Sequence, residues 1–233
     1  MAFASVRAGD FLSERSGCGV KYKLVIFDFD GTLADSFPWA LSVADQLSDR
    51  HGIQRIDRSQ IDAMRGKTVK ALFKMYAIPF WKVPLLIRDV RHLMTRDAGE
   101  ISLFPGIEEL LRQLAAQGTR LALVTTNSYQ NVQHILGQET AALIEYYECG
   151  VSMFGKRAKF RKILKKSGLE QKEILCIGDE TRDIEAARSA HLDCGAVAWG
   201  YAHLDVLKTY LPDEIYLSVD DLAQKLLQPI PGS

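Results

Sequence analysis

The chain has 233 residues, 47% of them hydrophobic and 25% charged. That composition suits one globular domain with a modest insertion and excludes disordered, collagen-like and coiled-coil chains. Lys+Arg and Asp+Glu both number 29, giving a formal net charge of zero, which disfavours nucleic-acid binding by bulk charge.

Residues 1–21 form an N-terminal arm whose order the pattern leaves open. Asp10, Glu14 and Arg15 interrupt any signal-peptide core there, and no apolar stretch anywhere is long enough to span a bilayer. The four cysteines, Cys18, Cys149, Cys176 and Cys194, form no C-x-x-C pair. A reducing compartment, no zinc site and a cytoplasmic location without membrane contact are expected.

A first strand is read at residues 23–29 (KLVIFDF). From 36 to 103 the pattern is helical throughout, with helices expected at 39–50, 58–64, 68–76 and 84–95 and no strand. The alternation then resumes. A helix at 107–117 has Ile107, Leu110, Leu111 and Leu114 at helical spacing and stops at Gly118. A strand follows at 120–125 (RLALVT), and a weaker one near 146–150. A helix at 158–166 closes at Gly168, leading to strands at 173–177, 195–199 and 214–217 and a last helix from Asp220. Continuous apolar strands between amphipathic helices indicate a parallel sheet covered on both faces. The expected fold is α/β, doubly wound, with residues 22–35 and 104–233 as core and 36–103 as an inserted helical lobe.

Ligands in such sheets bind beyond the carboxyl ends of the strands. The first strand ends in Asp28-Phe29-Asp30-Gly31-Thr32, two carboxylates on one side of the pleat before a glycine turn. The next ends in Thr125-Thr126-Asn127, whose hydroxyls, amide and N–H groups make an anion cradle. Lys156 stands in the loop ahead of a helix. A later strand ends in Gly178-Asp179-Glu180-Thr181-Arg182-Asp183, where clustered acids call for a hard cation. The basic run from Arg157 to Lys166 reads as a solvated helix face, since Phe160, Ile163 and Leu164 mark the inward side.

From about residue 22 onward, with DFDGT, LVTTN, Lys156 and GDETRD in this order, the chain resembles the haloacid dehalogenase superfamily of aspartate-nucleophile phosphohydrolases. The helical insertion is similar to the α-helical cap of its phosphoglycolate-phosphatase-like members. The resemblance implies Asp28 as nucleophile and Asp30 as general acid/base. It implies Mg²⁺ held by Asp28, the Asp30 backbone carbonyl and Asp179, supported by Glu180 and Asp183. Thr125, Thr126, Asn127 and Lys156 would bind the phosphoryl group. The family often has Lys-Pro at its third motif, whereas this chain reads Gly155-Lys156-Arg157-Ala158-Lys159, so Lys159 is the alternative lysine. Arg65-Gly66-Lys67, a glycine between cations on a turn, is loosely similar to a cap specificity loop. The expected activity is hydrolysis of a small phosphorylated metabolite. A phosphomutase using the same phospho-aspartate is the alternative, followed by a non-catalytic binding protein on the same fold.

Overall fold

The computed structural model describes residues 20–150 and 155–228. The expected N-terminal arm lies outside the described residues apart from Val20 and Lys21. Six strands, β1 (Leu24–Phe27), β2 (Arg120–Val124), β3 (Ile144–Glu148), β4 (Ile174–Gly178), β5 (Asp193–Val197) and β6 (Glu214–Tyr216), form one parallel sheet. Their spatial order is β3-β2-β1-β4-β5-β6. The order reverses at β1, so the crevice beyond its carboxyl end is the topological switch point.

The period-two alternation of β1 assigns its side chains to two cores. Val25 and Phe27 join one face, with Leu110, Leu111 and Leu114 of α5 (Ile107–Ala116), Val132 and Leu136 of α6 (Tyr129–Ala141) and Leu222 of α10 (Val219–Leu227). Leu24 and Ile26 join the other, with Phe160 and Ile163 of α7 (Lys156–Ser167), Ile184 and Ala187 of α8 (Thr181–Ser189) and Leu207 of α9 (Leu204–Thr209). Cys176 and Cys194 stand opposite one another in register on β4 and β5 as free, buried thiols. They act as small hydrophobes.

The strands match the expected runs to within one or two residues at most ends. β3 begins earlier than the weak signal near 146–150 suggested. It is an edge strand with Ile144 and Glu148 buried and Glu145 exposed, so no continuous apolar run announces it. α7 also differs. It starts at Lys156 rather than Ala158, because Gly155 occupies the N-cap, so Lys156 belongs to the first helical turn and not to the preceding loop.

Between β1 and α5 the described chain holds only helices: α1 (Phe37–His51), α2 (Ile61–Arg65), α3 (Val69–Met75) and α4 (Val83–Arg96), with short 3₁₀ turns. Proline stands in the first turn of both α1 and α4, where no N–H is needed, and Gly52 ends α1 in the left-handed conformation. Buried Asp89 of α4 braces α1 by an ion pair with Arg50 at 3.1 Å and a hydrogen bond with His51 Nε2 at 3.0 Å. The block's two connections run side by side. Ala34 and Leu103 form an antiparallel bridge, Asp35 N–H donates to the Ser102 carbonyl at 2.9 Å, and Phe104 N–H to that of Leu33 at 2.9 Å. No helix among the described residues is long and apolar enough to cross a membrane.

Candidate active site

The chain leaves β1 at Asp28, whose N–H is tied to the Ile177 carbonyl at 2.8 Å. Gly31 has φ +79°, a conformation that favours glycine, and the backbone coils back so that Leu33 and Ala34 both donate to the Phe29 carbonyl. This coil puts Asp28 and Asp30 at the mouth of the crevice. The end of β4 and the start of α8 supply Asp179 and Asp183 from the adjacent strand.

Asp28, Asp179 and Asp183 are all buried, and one carboxylate oxygen from each lies within 4.8 Å of the others. Lys156 Nζ, itself buried, sits 2.7 Å from Asp28 Oδ2 and 2.5 Å from Asp183 Oδ1. The remaining carboxylate oxygens are individually seated. Asp28 Oδ1 accepts from Phe29 N–H at 2.8 Å, and Asp179 Oδ1 from the Thr32 hydroxyl at 2.8 Å. Asp179 Oδ2 accepts from Tyr201 N–H at 2.7 Å. Asp183 Oδ2 accepts from Glu180 N–H at 3.1 Å in a capping box that starts α8. Burial, opposed by Lys156, lifts Asp28 above the usual carboxylate range. Burial and the charges of Glu180, Asp28 and Asp183 lift Asp179 well above it.

Three buried carboxylates against one lysine leave a surplus of negative charge in a dry crevice, and a hard, oxygen-seeking divalent cation is the chemical match for that donor set. Mg²⁺ fits these residues. Glu180 is not one of the three clustered carboxylates; it pairs with Arg182 Nε, and its charge still acts on Asp179. The Asp30 carboxylate is outside the three as well. It accepts from Asn127 Nδ2 at 3.2 and 3.3 Å, and burial raises its pKa while hydrogen bonds from Ser36 and Asn127 pull it down.

After β2 the expected cradle residues bond to one another, with Ser128 N–H donating to Asn127 Oδ1 at 2.8 Å. Thr125 is buried, and its Oγ1 accepts the Asn127 N–H at 3.0 Å; a hydroxyl that accepts still has its own proton to donate. Thr126 and Asn127 line the crevice beside Asp30. Lys159 is elsewhere. Its Nζ donates to Glu148 Oε2 at 2.9 Å, and Lys162 takes the other oxygen at 2.5 Å. Of the two candidate lysines, only Lys156 touches Asp28.

Arg65-Gly66-Lys67 divides. Arg65 is directed onto the core, donating to the Gly200 carbonyl at 2.7 Å and the Tyr201 carbonyl at 3.2 Å. Gly66 ends α2, and Lys67 is exposed along the cavity between the helical block and the core. Two contributors have no role in the sequence reading. Tyr201 holds Asp179 through its backbone N–H, a group that no side-chain pattern reveals. Arg182 lies inside GDETRD, lines the same cavity and keeps a buried Nη1 without a hydrogen-bond partner among the described residues. Its signal was a lone cation amid acids.

Asp179 is wedged between two glycines. A Cβ on Gly31 would stand 2.3 Å from Asp179 Oδ2, and one on Gly200 2.1 Å from Asp179 Cβ. Gly200→Ala should cost roughly 1–3 kcal/mol through overpacking, lowering Tm by about 5 °C at this chain length. By displacing Asp179 from the acidic cluster it should also weaken the affinity of that cluster for added Mg²⁺, measured by calorimetry, by roughly 10–100-fold. Unchanged affinity would show that Asp179 does not depend on this seat.

Residues 25–197 match the family model described as haloacid dehalogenase-like hydrolase. The chain therefore belongs to the haloacid dehalogenase-like hydrolases, and it is an enzyme of that family's phosphoric monoester hydrolase type. It is 29% identical over 205 residues to a phosphoglycolate phosphatase from Synechococcus elongatus, covering 88% of this chain and 97% of the relative. Among solved structures it is similar to one titled a predicted phosphatase from Clostridium acetobutylicum, with TM-score 0.74, 25% identity and coverage of 88% and 98%. It is also similar to one titled a predicted phosphoglycolate phosphatase from Haemophilus somnus, with TM-score 0.70, 26% identity and coverage of 89% and 99%.

Proposed function

We propose that the protein is a Mg²⁺-dependent phosphatase that hydrolyses a small phosphorylated metabolite through a phosphoryl group carried on Asp28. The observation that carries this reading is the buried Asp28–Asp179–Asp183 cluster with Lys156 Nζ 2.7 Å from Asp28. Similarity to a relative named phosphoglycolate phosphatase and to a structure titled a predicted phosphoglycolate phosphatase supports phosphoglycolate as one candidate substrate.

Bound by Asp28, Asp179 and Asp183, with the Asp30 backbone carbonyl alongside, Mg²⁺ would supply charge neutralisation that lets a carboxylate approach a phosphate anion. The chain's residues do the rest. Lys156 holds Asp28 in place and offers positive charge to the phosphoryl oxygens, as does Arg182 Nη1, which has no hydrogen-bond partner among the described residues, while the Thr125 hydroxyl offers a hydrogen bond. Asp28 displaces the alcohol and becomes the acyl phosphate. Asp30, whose pKa burial pushes up against the pull of Ser36 and Asn127, gives a proton to the departing oxygen and then takes one from the water that frees the phosphate. Asn127 orients the Asp30 carboxylate throughout. Residues 36–103 act as a cap hinged on the Ala34–Leu103 bridge, closing to exclude water during transfer.

The test is phosphate release from a panel of phosphomonoesters with Mg²⁺ present and after excess chelator. Activity should vanish with the metal, return on adding Mg²⁺, and return poorly with Ca²⁺, whose looser shell misplaces the nucleophile. Full turnover in chelator would remove the metal from the reading. Transfer of phosphate to a second hydroxyl of the substrate, without free phosphate, would make the protein a mutase instead.

A further inference from the structure

A cavity of about 390 Å³ opens between the helical block and the core, and its floor is the crevice. Asp30, Thr126, Asn127 and Arg182 all face it. The volume falls within the range of roughly 300–1,000 Å³ that holds small-molecule ligands. Its upper walls are apolar, with Leu41 from α1, Met64 from α2, Phe73 from α3 and Leu86, Ile87 and Val90 from α4. Five of these six, all but Val90, belong to neither hydrophobic core of the molecule, and all six are only half-buried. They spend their apolar surface on the cavity rather than on one another.

The position of Asp30 says which part of a ligand goes there. The group that protonates the ester oxygen is in the cavity wall, so whatever lies beyond that oxygen must extend upward between the helices. Two cap arginines line the cavity, and both are engaged with the core: Arg65 is turned onto the Gly200 and Tyr201 carbonyls, and Arg91 Nε donates to the Thr126 carbonyl at 2.7 Å. Charged and polar groups thus lie at the floor, where Arg91 meets Thr126, and at the Lys67 edge. Water in the apolar upper part has few partners, and a hydrocarbon group displacing it gains affinity. A two-carbon glycolate would leave most of this wall facing water.

Resting on the phosphatase reading above, we propose that the enzyme's substrate is the phosphomonoester of a predominantly apolar alcohol, with a hydrocarbon chain or ring that fills the cavity beneath the helical block. Leu86 and Ile87 then act as specificity residues, because both line the cavity from α4, the helix whose Met94 reaches Asn127 on the floor.

The test measures kcat/KM with Mg²⁺ for ethyl, butyl and hexyl phosphate, for 2-phosphoglycolate and for p-nitrophenyl phosphate. Each methylene buried should raise kcat/KM about three- to fourfold, so hexyl phosphate should exceed ethyl phosphate by roughly 100-fold and 2-phosphoglycolate by a comparable margin. Leu86→Trp, which fills the space, should flatten or invert the series. A flat or falling series in the wild-type enzyme, with 2-phosphoglycolate preferred through Lys67, overturns the proposal while leaving the phosphatase reading standing. If no ester in the panel is turned over, including p-nitrophenyl phosphate, the phosphatase reading falls and this proposal with it.

Discussion

Asp30→Asn should split the reaction by leaving group, whereas Asp28→Asn should abolish turnover of every ester. The two carboxylates are one residue apart, yet their surroundings differ. Asp28 is gripped by Lys156 inside the acidic cluster. Asp30 faces the cavity, held by Asn127 and raised in pKa by burial. An alkyl phosphate departs as a strongly basic alkoxide, and general-acid help there is worth roughly 10²–10⁴-fold. A nitrophenolate leaves without a proton. Asp30→Asn should therefore slow the first step on an alkyl ester by that factor and largely spare it on the nitrophenyl ester. Deacylation needs Asp30 as base with either substrate, so the aryl ester should give a burst of phenolate and a protein carrying one phosphoryl group. Rapid-quench kinetics with intact-mass analysis reads both. Equal first-step losses with no burst would assign the proton transfer to another group.

The second large effect separates the two lysines of the third motif. Lys156→Met removes the cation between Asp28 and Asp183, leaving two buried carboxylates with backbone donors but without the charge that both contact. Breaking a buried pair in this way costs about 3–5 kcal/mol, which corresponds to a fall in Tm on the order of 10 °C. The lost charge on the phosphoryl oxygens should lower kcat by roughly 10²–10³-fold. Added Mg²⁺ should recover part of the Tm, because it neutralises the same carboxylates, but little of the rate. Lys159→Met is the control. Glu148 keeps Lys162 at 2.5 Å, and loss of a half-exposed partner should cost under about 1 kcal/mol. Its kcat/KM should remain within about twofold. A Lys159 variant as inactive as the Lys156 variant would reverse the assignment.

The interior strands were legible because a parallel sheet buried on both faces demands unbroken apolar runs, and LVIF, RLALV and ILCIG are such runs. DFDGT and GDETRD were legible because their acids follow directly on strand ends. The edge strand β3 shows only weakly and two residues late, since burial at Ile144 and Glu148 with Glu145 exposed between them leaves no continuous apolar run. α9 was absent from the reading because its six residues are too few for a helical repeat to emerge. The start of α7 was misread because Gly155 caps it without a side chain, so nothing in the residue types marks the boundary. Arg65 shows a deeper limit. Its residue type suggested an anion, but its partners are the carbonyls of Gly200 and Tyr201, groups common to every residue. The seat of Asp179 on Tyr201 N–H was hidden for the same reason.

The placement of β1 at the middle of the sheet governs how the enzyme comes into being. Leu24 pairs with Arg120 on one side and Ile174 on the other, so the first strand to leave the ribosome has no neighbour until much later. At about 5–20 residues per second, it waits roughly 5–20 s for β2 and longer for β4. The helical block is made of local contacts, which form fast, and it can condense during that wait while the apolar β1 stays unpaired. Asp28 meets Asp183 only once residue 183 has been synthesised, and Asp179 gains its backbone donor only when Tyr201 has followed. A chain cut short before Tyr201 would carry DFDGT and GDETRD and still leave Asp179 Oδ2 without its N–H donor. The acidic cluster is thus assembled from segments made far apart in time, and Tyr201 completes the seat of Asp179.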